Sequence, residues 1–81
     1  MQVLYFSWLR ERVGVPSEDV ETGAATARDL VAELIGRDER YAHAFKDLDV
    51  VRVAVDQEMA DLDASLEGVR EVAFFPPVTG G

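Results

Sequence analysis

Apolar and polar positions alternate in the chain in a way that marks out a short series of elements. Val3-Leu4-Tyr5-Phe6 is a β-branched and aromatic run bounded by Ser7 and then by charge, which predicts a strand buried on at least one face. A short helical turn follows over Trp8 to Val13, and Gly14, Val15 and Pro16 break it. Ser17 to Thr22 then returns beside the first strand. The clearest helix starts at Thr26, whose hydroxyl can cap free N–H groups with Asp29 three residues on, a capping box with Asp at its acidic position. Leu30, Val31, Leu34 and Ile35 recur at helical spacing, Arg28 and Glu33 fall on the solvent face, and Gly36 is expected to end the helix in the left-handed conformation. Glu39 to Phe45 reads as a second short helix with Tyr41, Ala42 and Phe45 on one side.

From Val50 the period changes to two. Val51, Val53 and Val55 alternate with Arg52, Ala54 and Asp56, as in a strand with one wet face. Gln57 to Met59 can turn into a short further strand, and Gly68 supplies a turn into the last one, Val69 to Phe75. In that last strand Val72 and Phe74 face one way, Ala73 and Phe75 the other. The order strand, strand, helix, strand, short strand, strand is that of an α+β, β-grasp (ubiquitin-like) fold: a mixed sheet covered on one face by a helix. In that arrangement the first and last strands pair as parallel neighbours near the sheet centre, which suits two strongly apolar runs. The expected organisation is one β-grasp domain over residues 1–75 and a flexible C-terminal Gly-Gly tail over 76–81.

Composition narrows the chemistry. A chain of 81 residues supports a single modest core that buries roughly 60–65% of the unfolded surface. It contains no cysteine, so disulfides, thiolate metal sites and sulfur chemistry through a side-chain thiol are excluded. Sixteen acidic residues against eight basic ones give a formal charge of −8. Nucleic acid would repel such a chain, which lacks the Lys/Arg footprint that phosphate binding needs. The acidic excess is compatible with a soluble surface and with steering toward a basic partner face, and both readings stay open. The opening residues fit neither a signal peptide nor a membrane span, so a cytoplasmic protein is expected. His43, the one histidine, reads as a surface or half-buried helix residue. Asp56, Glu58, Asp61 and Asp63 read as solvated loop charge, because they lack the glycine and twelfth-position glutamate of a calcium loop. No metal site is expected.

The end of the chain, EVAFFPPVTGG, carries the clearest functional signal. Pro76-Pro77 cannot extend a strand ladder and favours a stiff polyproline-like course, which aims the chain outward. Extended, residues 76–81 span roughly 20 Å at about 3.3 Å each. Gly80 and Gly81 lack the Cβ atoms that a narrow channel would exclude. Ordering Val78, Thr79, Gly80 and Gly81 costs on the order of 4–8 kcal/mol, so affinity for a partner has to come from the folded part. Phe75, on the sheet face away from the helix, is the first candidate, with Phe6 and Met59 joining it in one apolar patch. The register is not determined by the sequence alone, and for Phe6 and Met59 an ordinary core or partly exposed position remains the alternative.

VLYFSWLRERVG at one end, EVAFFPPVTGG at the other and VAVDQEMADLDASLEGVREVAFFPP between them resemble the small subunit of molybdopterin synthase, the MoaD-type sulfur carrier, over essentially the whole chain. The resemblance implies that Gly81 is the reacting residue. Its carboxylate would be adenylated by a ubiquitin-activating-like (MoeB-type) enzyme that consumes ATP, and a sulfur donor would displace AMP to leave a thiocarboxylate. The tail, Val78 to Gly81, would then enter the large (MoaE-type) subunit and give sulfur to cyclic pyranopterin monophosphate, with Phe6, Met59, Phe75, Pro76 and Pro77 at the partner interface. By the same resemblance the chain binds no cofactor permanently and is not catalytic alone. The rival readings are a ThiS-like carrier for thiamin, whose chains are typically shorter and lack the FFPPVTGG ending, a ubiquitin-like protein modifier, and a binding module with an inert tail.

Overall fold

A computed structural model describes residues 1–77. The chain runs β1 (Gln2–Tyr5), α1 (Trp8–Val13), β2 (Ser17–Asp19), α2 (Ala27–Ile35), α3 (Glu39–Ala44), a 3-10 turn (Leu48–Val50), β3 (Arg52–Val55), β4 (Glu58–Ala60) and β5 (Glu71–Phe75). The strands form one sheet in the order β2-β1-β5-β3-β4, with β1 and β5 parallel and the other pairs antiparallel. This is the β-grasp fold that the element order predicts. Its last strand occupies the middle of the sheet, so the chain leaves β5 between two neighbours and away from either edge.

One sheet face carries the core. Val3, Tyr5, Val53, Val72 and Phe74 meet Leu9 and Val13 of α1, the buried stripe Ala27, Leu30, Val31 and Leu34 of α2, and Tyr41 and Ala44 of α3. The cover therefore comes from all three helices, although the sequence pattern marks α2 most strongly. Phe74 sits at the centre: its ring stacks on Tyr5 at 6.3 Å and meets Phe45 edge-on at 5.0 Å, arrangements that aromatic quadrupoles favour.

Local chemistry explains most boundaries. Thr26 caps α2 as expected, its hydroxyl accepting the Asp29 N–H at 3.1 Å. Gly36, in contrast, is right-handed at φ −71°, because the chain continues the turn with Arg37 N–H bonded to the Leu34 carbonyl. Ile35 is exposed over about a third of its surface (37%), at the edge of the apolar stripe in the last turn. In α3 the buried side is Tyr41, Ala44 and Phe45, with Ala42 half-buried, as spacing by three and four residues requires. The second strand, Ser17–Asp19, is shorter than the expected Ser17–Thr22, although the next residue, Val20, still donates its N–H to the Met1 carbonyl.

The β3–β4 turn holds the largest departure from expectation. Asp56 and Gln57 both have positive φ, 49° and 70°, as a tight hairpin of primed type demands, although neither is glycine. β4 consequently starts at Glu58, one residue later than the predicted Gln57. The Asp56 carboxylate accepts the N–H groups of Arg70 and Glu71, both at 3.0 Å, and the Asp56 N–H donates to the Glu71 carbonyl. Asp56 is thus a clasp at the start of β5, which begins at Glu71 and not at Val69, and is no mere solvated charge. Asp63 also has a partner, the Arg28 guanidinium at 2.9 Å, which lowers its carboxyl pKa by hydrogen bonding and then by charge. Asp61 accepts the Asp63 N–H at 2.8 Å.

Candidate functional site

The sheet face opposite the helices carries an apolar surface assembled from four strands. Register places Leu4 beside Ala73, Ala73 beside Ala54, and Ala54 beside Met59, forming one row across β1, β5, β3 and β4. The next row holds Phe75 with Arg52 across from it. Phe6 lies just past β1, but its N–H still bonds the Phe74 carbonyl at 3.1 Å, which extends the parallel ladder and sets Phe6 alongside Phe75. Period two does the rest: every second residue of a strand shares a face. Phe6 is 45% exposed and Met59 68%, whereas Phe74, adjacent in sequence to Phe75, is fully buried on the other side.

Sequence reasoning placed Phe6, Met59 and Phe75 together, and the structure brings them onto this one face. It set Ala73 on the same face as Phe75 but did not include Leu4, Ala54 or Ala73 in the patch, and these fill the row between them. Their signal is present in the alternation, but only the pairing of β5 with both β1 and β3 makes them neighbours. Large apolar side chains left exposed on a small domain mark an interaction surface.

At the end of β5 this face meets the chain exit. Pro76 and Pro77 are half-buried and, with Ser7, Trp8 and Val50, line a shallow depression at the end of the sheet. Ser7 turns the chain from β1 into α1 with φ 56° and ψ −134°, an unusual backbone for a residue with a Cβ. It is held there by the Phe6–Phe74 bond on one side and by Leu9 and Glu11 N–H groups returning to the Phe6 and Ser7 carbonyls on the other. Trp8 in turn carries the Arg12 guanidinium over its ring, 4.5 Å from the centroid. The predicted tail residues Val78, Thr79, Gly80 and Gly81 lie outside the described residues.

Beneath the face, a polar clamp holds β1 to β2 and α3. The hydroxyls of Tyr5 and Tyr41 both donate to one Glu18 carboxylate oxygen, at 2.8 and 2.6 Å, and Arg40 donates to Tyr41 at 3.3 Å. Burial, reinforced by the Glu18 charge, pushes the Tyr5 phenol well above its ordinary pKa. His43 is exposed. Among the described residues no group of His, Asp or Glu is arranged to hold a metal, and no helix is long and apolar enough to cross a membrane.

An apolar sheet face beside a proline-stiffened exit is thus what this fold presents. The ThiS family model matches residues 3–81. The chain belongs to the ThiS family. Within it, this ThiS-family protein is 37% identical over all 81 residues to the molybdopterin synthase sulfur carrier subunit of Escherichia coli K12, covering 99% of that protein. It is 35% identical over the same length to the protein of that name from Haemophilus influenzae, again covering 99% of it. The resemblance read over essentially the whole chain is thus matched by relatives that align along its full length. Among solved structures, SAMP1 from Haloferax volcanii superposes with a TM-score of 0.73 at 28% identity, covering all of this chain and 98% of that one.

Proposed function

We propose that this protein is the sulfur carrier subunit of a molybdopterin synthase. The observation that carries the reading is the identity of 37% across the whole chain to a relative of that name, with 99% of the relative covered. The apolar face supports it, because a short tail ending in glycines supplies few contacts of its own and needs a docking surface next to its root.

In this reading Phe6, Met59 and Phe75 dock on the large subunit, Pro76 and Pro77 direct the chain, and Val78 to Gly81 enter the partner's active site. An ionised α-carboxylate, with an ordinary pKa of about 3.3–3.7, is a poor electrophile at neutral pH. The Gly81 carboxylate oxygen therefore attacks the α-phosphorus of ATP in an adenylating enzyme, pyrophosphate leaves, and the acyl-adenylate acquires AMP as a leaving group. A sulfur donor displaces AMP and leaves a thiocarboxylate, a soft nucleophile carried by a chain that has no cysteine. Acid, base and substrate-binding groups belong to the large subunit, where sulfur passes to cyclic pyranopterin monophosphate.

The test is intact mass before and after incubation with the adenylating enzyme, ATP and a sulfur source. A mass gain equal to the replacement of one oxygen by sulfur, localised to Gly81, is expected, followed by molybdopterin formation when the large subunit and precursor are added. A variant lacking Gly80 and Gly81 should fold normally and form no product. Product from that variant, or conjugates to lysine that survive reduction with no thiocarboxylate detectable, would replace the sulfur-carrier reading with an inert tail or a protein modifier.

A further inference from the structure

The tail root is flanked by positive charge in a molecule that is otherwise strongly acidic. Arg52 lies across from Phe75 in the β3–β5 register, next to the chain exit, and is exposed at a neighbouring depression that Asp49, Asp61 and Asp63 also line. Its Nη1 donates to the Asp49 carbonyl at 3.0 Å, which fixes the guanidinium beside the 3-10 turn that contributes Val50 to the exit depression. On the other side Arg12 stacks on Trp8, which lines the same depression as Pro76 and Pro77. Among the described residues neither guanidinium has a carboxylate within 4.0 Å, although acidic residues outnumber basic ones sixteen to eight. Arg28 and Arg37, by contrast, are each paired with a carboxylate.

We infer that Arg12 and Arg52 form a basic collar around the tail root, and that it recognises carboxylate side chains set around the mouth of the channel in the large subunit that receives the tail. The inference rests on the proposed docking to that subunit. A net charge of −8 taken alone favours a basic partner surface; the collar reverses that expectation locally. Both guanidiniums are held in place before docking, Arg12 by stacking and Arg52 by its carbonyl bond, so little rotamer entropy is lost when a carboxylate arrives. Rim charges of this kind set register and on-rate, so the collar would align the tail with its channel while Phe75 supplies the apolar contact.

The experiment measures binding of the full chain to the purified large subunit of molybdopterin synthase from the same organism, at low and high salt. Arg12→Glu and Arg52→Glu are each expected to raise Kd at least ten-fold at low salt, about 1.4 kcal/mol. Arg52→Lys should lose less than Arg52→Gln, and the double reversal should invert the salt dependence, binding better at high salt than at low. Arg70→Glu is the control, because Arg70 is exposed at the opposite end of β5, roughly 16 Å along the strand at about 3.3 Å per residue; it should bind within two-fold of wild type. Thiocarboxylate already formed on the chain should still transfer at saturating large subunit, with KM raised and kcat unchanged. Reversal variants that bind within two-fold of wild type, or more tightly, overturn the collar and leave the sulfur-carrier reading intact. Failure to form any thiocarboxylate overturns that reading instead. If Arg52→Glu does not fold, Arg52→Gln and Arg12→Glu decide the matter.

Discussion

Phe74 and Phe75 are consecutive, chemically identical and on opposite faces of the central strand, so truncating each in turn separates folding from docking. Phe74 is fully buried and touches the rings of Tyr5 and Phe45. Its replacement by alanine leaves a cavity between the sheet and the helices and should cost about 3–5 kcal/mol. A chain of this length has a total stability of roughly 4–12 kcal/mol, so Phe74→Ala is expected to lower Tm by at least about 12 °C or to unfold the protein. Phe75 is half-buried with its ring on the open face, and Phe75→Ala should cost about 1 kcal/mol or less in folding. Its effect should appear in binding: a covered aromatic contributes roughly 1.5–3 kcal/mol, or about 10- to 150-fold in Kd. Urea melts followed by circular dichroism read the first quantity, and titration calorimetry with the large subunit reads the second. Equal destabilisation by the two substitutions would show that both faces are core. Undiminished binding by Phe75→Ala would show that the open face is not the docking surface.

Two further outcomes follow from the clasp and the clamp. Asp56→Ala removes the acceptor of two backbone N–H groups and a residue that tolerates positive φ, and should cost about 1–2 kcal/mol in a urea melt, with Asp56→Asn recovering part of it. The Tyr5 phenol has a folded-state pKa raised above its unfolded value of about 10. The stability it contributes is therefore fully present below pH ~10 and falls as pH rises toward the folded-state pKa, because the unfolded chain releases the proton first. Melts between pH 9 and ~11.5 should show this decline, and Tyr5→Phe should be flatter over the same range; an identical slope for both proteins would remove Tyr5 as its cause.

Much of the fold is legible because it rests on local signals. The Thr26 cap, the Leu30, Val31 and Leu34 stripe, the valine alternation around Val53 and the division of Val72 and Phe74 from Ala73 and Phe75 are each set within a few residues. Gly36 departs for a local reason, because Arg37 extends the turn and keeps it right-handed. The larger departure arises where a distant partner decides. Asp56 and Gln57 adopt positive φ without glycine because β5 supplies N–H groups to the Asp56 carboxylate.

By itself the sequence determined the element types, the inward and outward positions on β3 and β5, the absence of thiol chemistry and the resemblance carried by EVAFFPPVTGG. These depend on periodicity, on backbone restrictions at Pro and Gly, and on which atoms the chain possesses. Only the tertiary structure decided that Leu4, Ala73, Ala54 and Met59 form one row, that Phe6 stands beside Phe75, and that Arg52 and the Trp8–Arg12 pair flank the exit. The reason is register. Alternation tells which residues share a face of one strand, but neighbours across strands are set by hydrogen bonds between segments far apart in the chain, and a slip of one residue would send each of these side chains to the other side.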